Sequence, residues 1–334
     1  MPTISVVLAT YNGQQFIHDQ LESIGLQTRP PCELVVSDDN SSDSTLKLVE
    51  DFAARTLFPV KVIRNVPSLG YRENFLAACA HAEGDWIAFC DQDDVWRKDK
   101  LEVCHKHMGN DRVTQIVHMA NLIDHDTKFI GKFSQGIKKS GSRPPLHYDV
   151  WSTFFGFSII FRRSLLDLVP NAERFIDYIE PEHLIAHDRW VHFLAQSLGD
   201  TVEIAEPLAD YRQHGNNLFG SGKSNANAKS HAHDFKRNSA YIAATEKMLL
   251  IVCTLPDYTS RRFPGFDRIK LIEIYEKALL QVVGRAGIYG SSRIGGLFRL
   301  AAFAAGGGYR DARGKPMRMR SLIKDLVHLT YPSN

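Results

Sequence analysis

The sequence predicts an α/β protein built on a mostly parallel sheet with helices on both faces. From Thr3 to Asp91, short apolar β-rich runs alternate four times with segments of helical spacing or turn residues, the pattern of strand–crossover–strand units. The densest polar clusters each follow directly after one of those runs, and in such sheets ligands bind beyond the carboxyl ends of the strands. At 334 residues, 44% hydrophobic and 23% charged, the chain is long enough for a full core, and suggests one large domain with a smaller companion.

Thr3–Ala9 (TISVVLA) is the first strand, and Tyr11-Asn12-Gly13 after it is turn-like. Phe16, Ile17, Leu21 and Ile24 recur at near-helical spacing until Pro30-Pro31 stops the helix. CELVVSDD, from Cys32, is a second strand. Asn40-Ser41-Ser42-Asp43 then supplies loop and capping residues for a helix marked by Leu46, Val49 and Phe52. Pro59–Asn65 is a third strand, Asn74–Ala82 a helix, and Asp85–Asp91 (DWIAFCD) a fourth strand.

Beyond Val150 the pattern changes. Trp151–Arg163 reads as a strand entering a helix, His187–Gly199 as an amphipathic helix, and Thr201–Gly215 as extended chain broken at Pro207. Residues 221–234 (SGKSNANAKSHAHD) have linker composition. Phe235–Leu255, Phe266–Val283 and Met319–Leu329 are expected helices. The expected division is a catalytic domain at 1–220, a linker or lid at 221–234 and a helical subdomain at 235–334.

Five scattered cysteines, without a CxxC pair, argue against a disulfide scaffold or structural zinc and for a reducing compartment. The N-terminus lacks signal-peptide character, and no late apolar run approaches the ~20 residues of a membrane span. A cytoplasmic protein is expected. The net charge of +2 is lopsided: residues 1–220 hold 21 Lys+Arg against 30 Asp+Glu, and residues 221–334 hold 19 against 8. A basic tail suits anionic lipid headgroups and adds the expectation of peripheral contact at the inner face of the plasma membrane. An ordinary solvated helical surface explains it as well. A nucleic-acid partner is not expected, because no recognition motif accompanies the charge.

Three clusters follow the early strands. Asp91-Gln92-Asp93-Asp94 packs carboxylates that repel one another unless a cation or donors offset them. Mg²⁺ or Mn²⁺ prefers such oxygen ligands, few of them from protein and the rest from phosphate and water. An acidic loop or helix cap reads equally well. Ser37-Asp38-Asp39 could accept bonds from a base or ribose, or cap the next helix. Thr10-Tyr11-Asn12-Gly13 offers a hydroxyl, a ring and a tight turn. Downstream, Asp188 in HDRW is either a base aimed at a hydroxyl or a helix-dipole partner. His214 in YRQHGNN is a candidate metal ligand, or a surface histidine.

ATYNG, SDDNSSDSTL, LGYRENF, CDQDDVW, HDRW and YRQHGNN occur here in an order that resembles inverting family-2 glycosyltransferases, in particular their bacterial rhamnosyltransferase-like branch. The resemblance covers residues 3–220. It implies the GT-A fold with a mixed central sheet, here followed by a C-terminal helical extension. It also implies a Mn²⁺ or Mg²⁺ cofactor, a dTDP- or UDP-linked sugar donor and a glycan or lipid-linked glycan acceptor. By position it assigns Thr10, Tyr11, Asn12, Asp38, Asp39, Arg72 and Asp91 to the nucleotide, with Asp39 toward the base. Asp93 and His214 go to the metal, Asp188 is the general base, and Asp94 and Arg212 are additional candidates. The reaction implied is an in-line displacement with inversion, in surface-polysaccharide assembly, with 221–234 ordering over the donor.

Two rivals remain. A sugar-phosphate nucleotidyltransferase needs a Gly-rich basic phosphate loop, and ATYNGQQ has one glycine and no lysine. A non-catalytic nucleotide- or sugar-binding module leaves His187-Asp188 and Tyr211–Asn217 without a purpose. A dinucleotide-dependent dehydrogenase fares worse, lacking GxGxxG after the first strand.

Overall fold

The computed structural model of the chain describes residues 1–215, 231–310, 312–313 and 319–330. Its first part alternates as expected: β1 (Ile4–Thr10), α1 (Ile17–Gly25), β2 (Glu33–Asp38), α2 (Thr45–Ala53), β3 (Val60–Arg64), α3 (Tyr71–Cys79) and β4 (Trp86–Asp91). There follow β5 (Val95–Trp96), α4 (Lys100–His105), β6 (Val113–Ile123), β7 (Phe129–Phe133), β8 (Gly141–Arg143), β9 (Ile159–Arg162), α5 (His187–Leu198) and β10 (Asp200–Arg212). Helices α6 (His231–Thr254), α7 (Thr259–Arg262), α8 (Arg268–Tyr289), α9 (Arg293–Ala305) and α10 (Met319–Thr330) complete the described residues.

The sheet is mixed, in the order β3-β2-β1-β4-β9-β6-β10-β5, with β7 paired to β6 and β8 to β10. Strands β1 to β4 are mutually parallel, which is why β1 and β2 are near-continuous apolar runs buried on both faces. Strand β9 runs antiparallel to both β4 and β6, and β10 runs parallel to β6. Two reversals restore direction, so β10 points the same way as β1, β2 and β4. Its carboxyl end therefore reaches the same sheet edge as theirs.

Several local expectations need correction. Trp151–Arg163 does not pass from strand to helix. A 3-10 turn at Gly156–Ser158 precedes the four-residue β9, and a second follows at Arg163–Asp167. Pro207 does not end the extended segment but sits at a register shift inside β10, where its missing N–H is tolerated. Of the linker expected at 221–234, residues 221–230 lie outside the described residues, and 231–234 already belong to α6. Helix α9 was not anticipated, since its Gly- and Ala-rich sequence carries little periodicity.

Helix α5 is buried at ten of its twelve positions. One side packs on the sheet, and the other is covered by α8, whose Tyr275 ring meets Phe193 at 5.7 Å and whose hydroxyl lies 3.2 Å from Ser197 Oγ. Helices α6 and α8 thus share the core that fills this face of the sheet. That support holds the amino end of α5, and Asp188 with it, against the sheet.

Candidate functional site

The register aligns Thr10 with Asp38 and Ala9 with Asp91 at adjoining strand ends. The loops leaving β1 and β2 are stitched together there. Asp38 is wholly buried; it accepts from Thr10 Oγ1 (2.9 Å), Ser41 Oγ (2.5 Å) and the Ser41 amide (2.8 Å). Asn12, at φ +45°, accepts the Ser42 amide through Oδ1 at 2.9 Å, and its own amide donates to Ser41 Oγ. Asp39 takes four donors: the Leu69 and Gly70 amides at 2.6 and 2.9 Å, Ser68 Oγ at 2.5 Å and Asn65 Nδ2 at 3.4 Å. A carboxylate has about four acceptor positions, so Asp39 is saturated by the 65–70 loop. Thr10 and Asp38 likewise face each other, whereas the Tyr11 ring is exposed at the site's rim.

The acidic loop is held from two sides. Gln92 grips the Tyr11 backbone, accepting its amide at 2.9 Å and donating to its carbonyl at 3.0 Å. Gly13 makes room for this clamp: a Cβ there would fall 2.2 Å from Gln92 Oε1. On the other side β5 pairs antiparallel with β10, Val95 opposite Asp210. The Arg212 amide then donates to Asp94 Oδ1 at 3.0 Å, and its guanidinium to the carbonyls of Asp93 (2.8 Å) and His125 (3.0 Å) and to Asp19 Oδ2 (3.0 Å). Arg212 is almost wholly buried, its guanidinium over the Phe16 ring. This cation ties three chain segments together instead of presenting itself to a ligand. Beside it, His214 Nε2 lies 2.8 Å from Asp93 Oδ2, and the imidazole stacks on Phe16 at 4.8 Å.

Electrostatics mark the same place. Burial, then the neighbouring Asp93 and Asp188, push the Asp91 carboxyl up to about 7. Burial and the charges of Asp93 and Asp91 also raise Asp94 well above the usual carboxylate range. Lys100, fully buried behind the loop, donates to the Phe157 carbonyl at 2.8 Å with its ammonium 3.6 Å over the Trp96 ring, and burial lowers it to about 8.

Asp188 stands in the first turn of α5, where its Oδ1 accepts the Arg189 amide at 2.7 Å. Burial raises its pKa. The preceding His187 is wedged between Phe75, stacked at 3.9 Å, and the edge of Phe89 at 4.9 Å, and burial holds it neutral with a pKa of about 3. Gly156 lets the β9 turn close on this helix end: a Cβ would lie 2.9 Å from His187 Nε2 and 3.8 Å from Asp188 Cβ. Asp91, Asp93, Asp94, Asp188 and His214 are thus gathered at one edge. Arg72 is engaged elsewhere, pairing with Asp177 at 3.2 Å and with Glu180, its guanidinium over the Tyr71 ring. Gln92, Phe16, Lys100, Gly156 and Asn74 were not singled out from sequence. Asn74 donates to the Ser37 and Thr10 carbonyls, holding two strand ends together. Gln92 and Asn74 carried a signal, their places inside the CDQDDVW and LGYRENF motifs.

Mg²⁺ or Mn²⁺ fits this donor set. Asp94 Oδ2 is buried and has no hydrogen-bond partner among the described residues, and burial with the charges of Asp93 and Asp91 disfavours its ionised form. Among the described residues no three His, Cys, Asp or Glu side chains form a ready cage. A hard cation that keeps most of its ligands as phosphate and water needs only one or two from protein.

The glycosyl transferase family 2 profile matches residues 5–169. An uncharacterized protein of Mycobacterium tuberculosis is 25% identical over 222 residues, 65% of this chain but only 61% of that one. The dTDP-rhamnosyl transferase RfbG of Shigella flexneri is 28% identical over 228 residues, 64% of this chain and 74% of that one. Among solved structures, Staphylococcus aureus TarS 1–349 in complex with UDP-GlcNAc superposes with a TM-score of 0.57 at 16% identity, covering 99% of this chain and 92% of that one. At that identity the likeness speaks for the fold, a mixed α/β sheet followed by helices. The profile match places residues 5–169 of this chain in glycosyl transferase family 2.

Proposed function

We propose that the chain is an inverting glycosyltransferase that moves a sugar from a nucleoside diphosphate onto an acceptor hydroxyl. The observation that carries the proposal is the gathering of the Asp93–His214 pair, Asp91 and Asp188 at the carboxyl edge of the sheet. Likeness to a dTDP-rhamnosyl transferase favours dTDP-L-rhamnose as donor, with UDP-sugars next; the setting in this reading is surface-polysaccharide assembly on the cytoplasmic side. Residues 1–220 are the catalytic unit in this reading, and 235–334 the helical extension.

The acceptor oxygen attacks the anomeric carbon as the bond to the diphosphate oxygen breaks on the opposite face, which inverts the centre. Asp188 accepts the hydroxyl proton. Its Oδ1 is already held by the Arg189 amide, so Oδ2 is the atom for that role, and a pKa raised by burial makes it the stronger base. General-base assistance is worth ~10²–10⁴ in rate. Asp93 and His214 would hold Mn²⁺ or Mg²⁺, whose chemistry here is Lewis-acid neutralisation of the leaving diphosphate. Tyr11 and Asn12 frame the nucleoside end, and Asp39 reaches the base by exchanging a donor of the 65–70 loop. Arg212 acts through position, fixing the backbone of Asp93 and the carboxylate of Asp94. Arg72 is held in its cluster with Asp177 and Glu180 and has no assigned contact to the donor in this reading.

Asp188→Asn separates this reading from a binding module. The variant should keep nucleotide affinity and lose nearly all transfer. A near-normal transfer rate would remove Asp188 as the base.

A further inference from the structure

The last two helices present the reverse of an ordinary amphipathic surface. Helix α10 turns Met319, Ile323, Leu326 and Val327 to solvent, each 43–55% exposed, and helical geometry puts these positions in one stripe. Its one carboxylate, Asp325, is buried instead. It accepts from Arg285 (2.8 and 2.6 Å) and from the hydroxyls of Tyr289 (2.8 Å) and Tyr309 (2.7 Å). Helix α9 presents a second stripe, with Ile294 and Phe298 72 and 74% exposed and Leu297 beside them. The stripes are not a core left half-built. The inner faces of both helices are already packed, through Leu300 and Leu329 on Ile288.

The sequence of this segment is one-sided in charge. Residues 290–334 contain eight Lys+Arg and two Asp+Glu, Asp311 and Asp325. With Asp325 sequestered, cations dominate this end of the protein. Exposed apolar stripes beside an excess of cations match the two layers of an anionic bilayer surface, acyl chains below and phosphate headgroups above. A second copy of this chain would set like charge against like. No helix among the described residues is long and apolar enough to cross a membrane, so the match is to lying on the surface.

We propose that the α9–α10 face docks on an anionic lipid bilayer, with Ile294, Phe298, Ile323 and Val327 entering the headgroup–acyl boundary. This would hold the enzyme where a lipid-linked acceptor is presented, but the docking itself does not depend on the donor-site reading.

The test is sedimentation of the full chain with vesicles of phosphatidylcholine alone or mixed with phosphatidylglycerol. A double variant, Phe298→Gln with Ile323→Gln, is compared with the wild type. Both substitutions are on the surface, and melting temperature and nucleotide-induced stabilisation are measured alongside. The expected result is binding to the mixed vesicles that weakens with salt, and roughly a tenfold or greater loss in the variant, with its fold and nucleotide response intact. Three results would overturn the proposal: no binding of folded wild type to the mixed vesicles, equal binding by the variant, or a solution dimer that the variant splits. A lost nucleotide response in the wild type would count against the donor site alone.

Discussion

His214 Nε2 meets Asp93 Oδ2 at 2.8 Å although 121 residues separate them in the chain. The contact exists because two strand reversals bring the end of β10 to the edge where β4 ends, and because Arg212 locks the two loops together. A pair so placed should act as a unit. His214→Ala and Asp93→Ala should each weaken Mn²⁺-dependent nucleotide binding by ~10–100-fold, the range seen when a metal site loses a ligand or its support. The double variant should cost little more than either single one. Calorimetric titration of nucleotide at fixed Mn²⁺ measures this; strictly additive losses would separate the two side chains.

Asp188 makes a prediction for stability as well as catalysis. Its folded pKa is raised by burial, so the folded state favours the protonated carboxyl. The stability from that preference is full below the unfolded value of about 3.9 and is lost as pH rises through the folded value. Asp188→Asn should therefore raise the melting temperature near neutral pH, with a gain that shrinks toward about pH 4. Wild-type transfer should fall on the acid side, with a midpoint above that of an ordinary aspartate. Melting curves and rates across that range check both; a stability gain independent of pH would remove the assignment.

Gly156→Ala should damage turnover out of proportion to binding. The added methyl would press on His187 Nε2 at 2.9 Å, and the imidazole, wedged against Phe75 and Phe89, has little room to yield. Displacing the start of α5 moves Asp188, and a shift of about 1 Å in a reacting group can cost ~10²-fold. The variant should keep nucleotide affinity while its transfer rate falls by that order. An unchanged rate would show that the helix end tolerates the shift.

Gln92→Ala removes both bonds to the Tyr11 backbone. At about 0.5–1.5 kcal/mol each, their loss should weaken nucleotide binding by about tenfold, with little effect on the melting temperature of the unliganded protein because the loop is exposed. Gly13→Ala should have a similar effect, since its methyl expels the Gln92 side chain. Dissociation constants for the two variants would test the clamp; wild-type affinity in both would dismiss it.

Much of this arrangement was legible in the sequence. The unbroken apolar runs of β1, β2 and β4, each followed by a polar cluster, told both the layer structure and the sheet edge at which those clusters meet. Beyond β4 the long β10 was legible as the extended segment from Thr201, but β9 was not, because it is four residues long between two 3-10 turns and its reversed direction leaves no trace in local pattern. Residue type also misled about availability. Arg72 was expected at the nucleotide and Arg212 as an additional site residue, yet Arg212 is engaged by a network of carbonyls and Asp19 and Arg72 by Asp177 and Glu180. Gly156 gave no signal at all, since its importance lies in contact with a helix that starts thirty-one positions later.

The most direct test is nucleotide-induced thermal stabilisation of wild type and Asp93→Ala, with dTDP, UDP, GDP and CDP, each with and without Mn²⁺. A ligand at 100 times its dissociation constant stabilises by ~2.7 kcal/mol, a clearly measurable shift. Wild type should respond to dTDP or UDP only when Mn²⁺ is present, and Asp93→Ala should lose the response while remaining folded. No response to any nucleotide, or one that persists unchanged in Asp93→Ala, would contradict this reading.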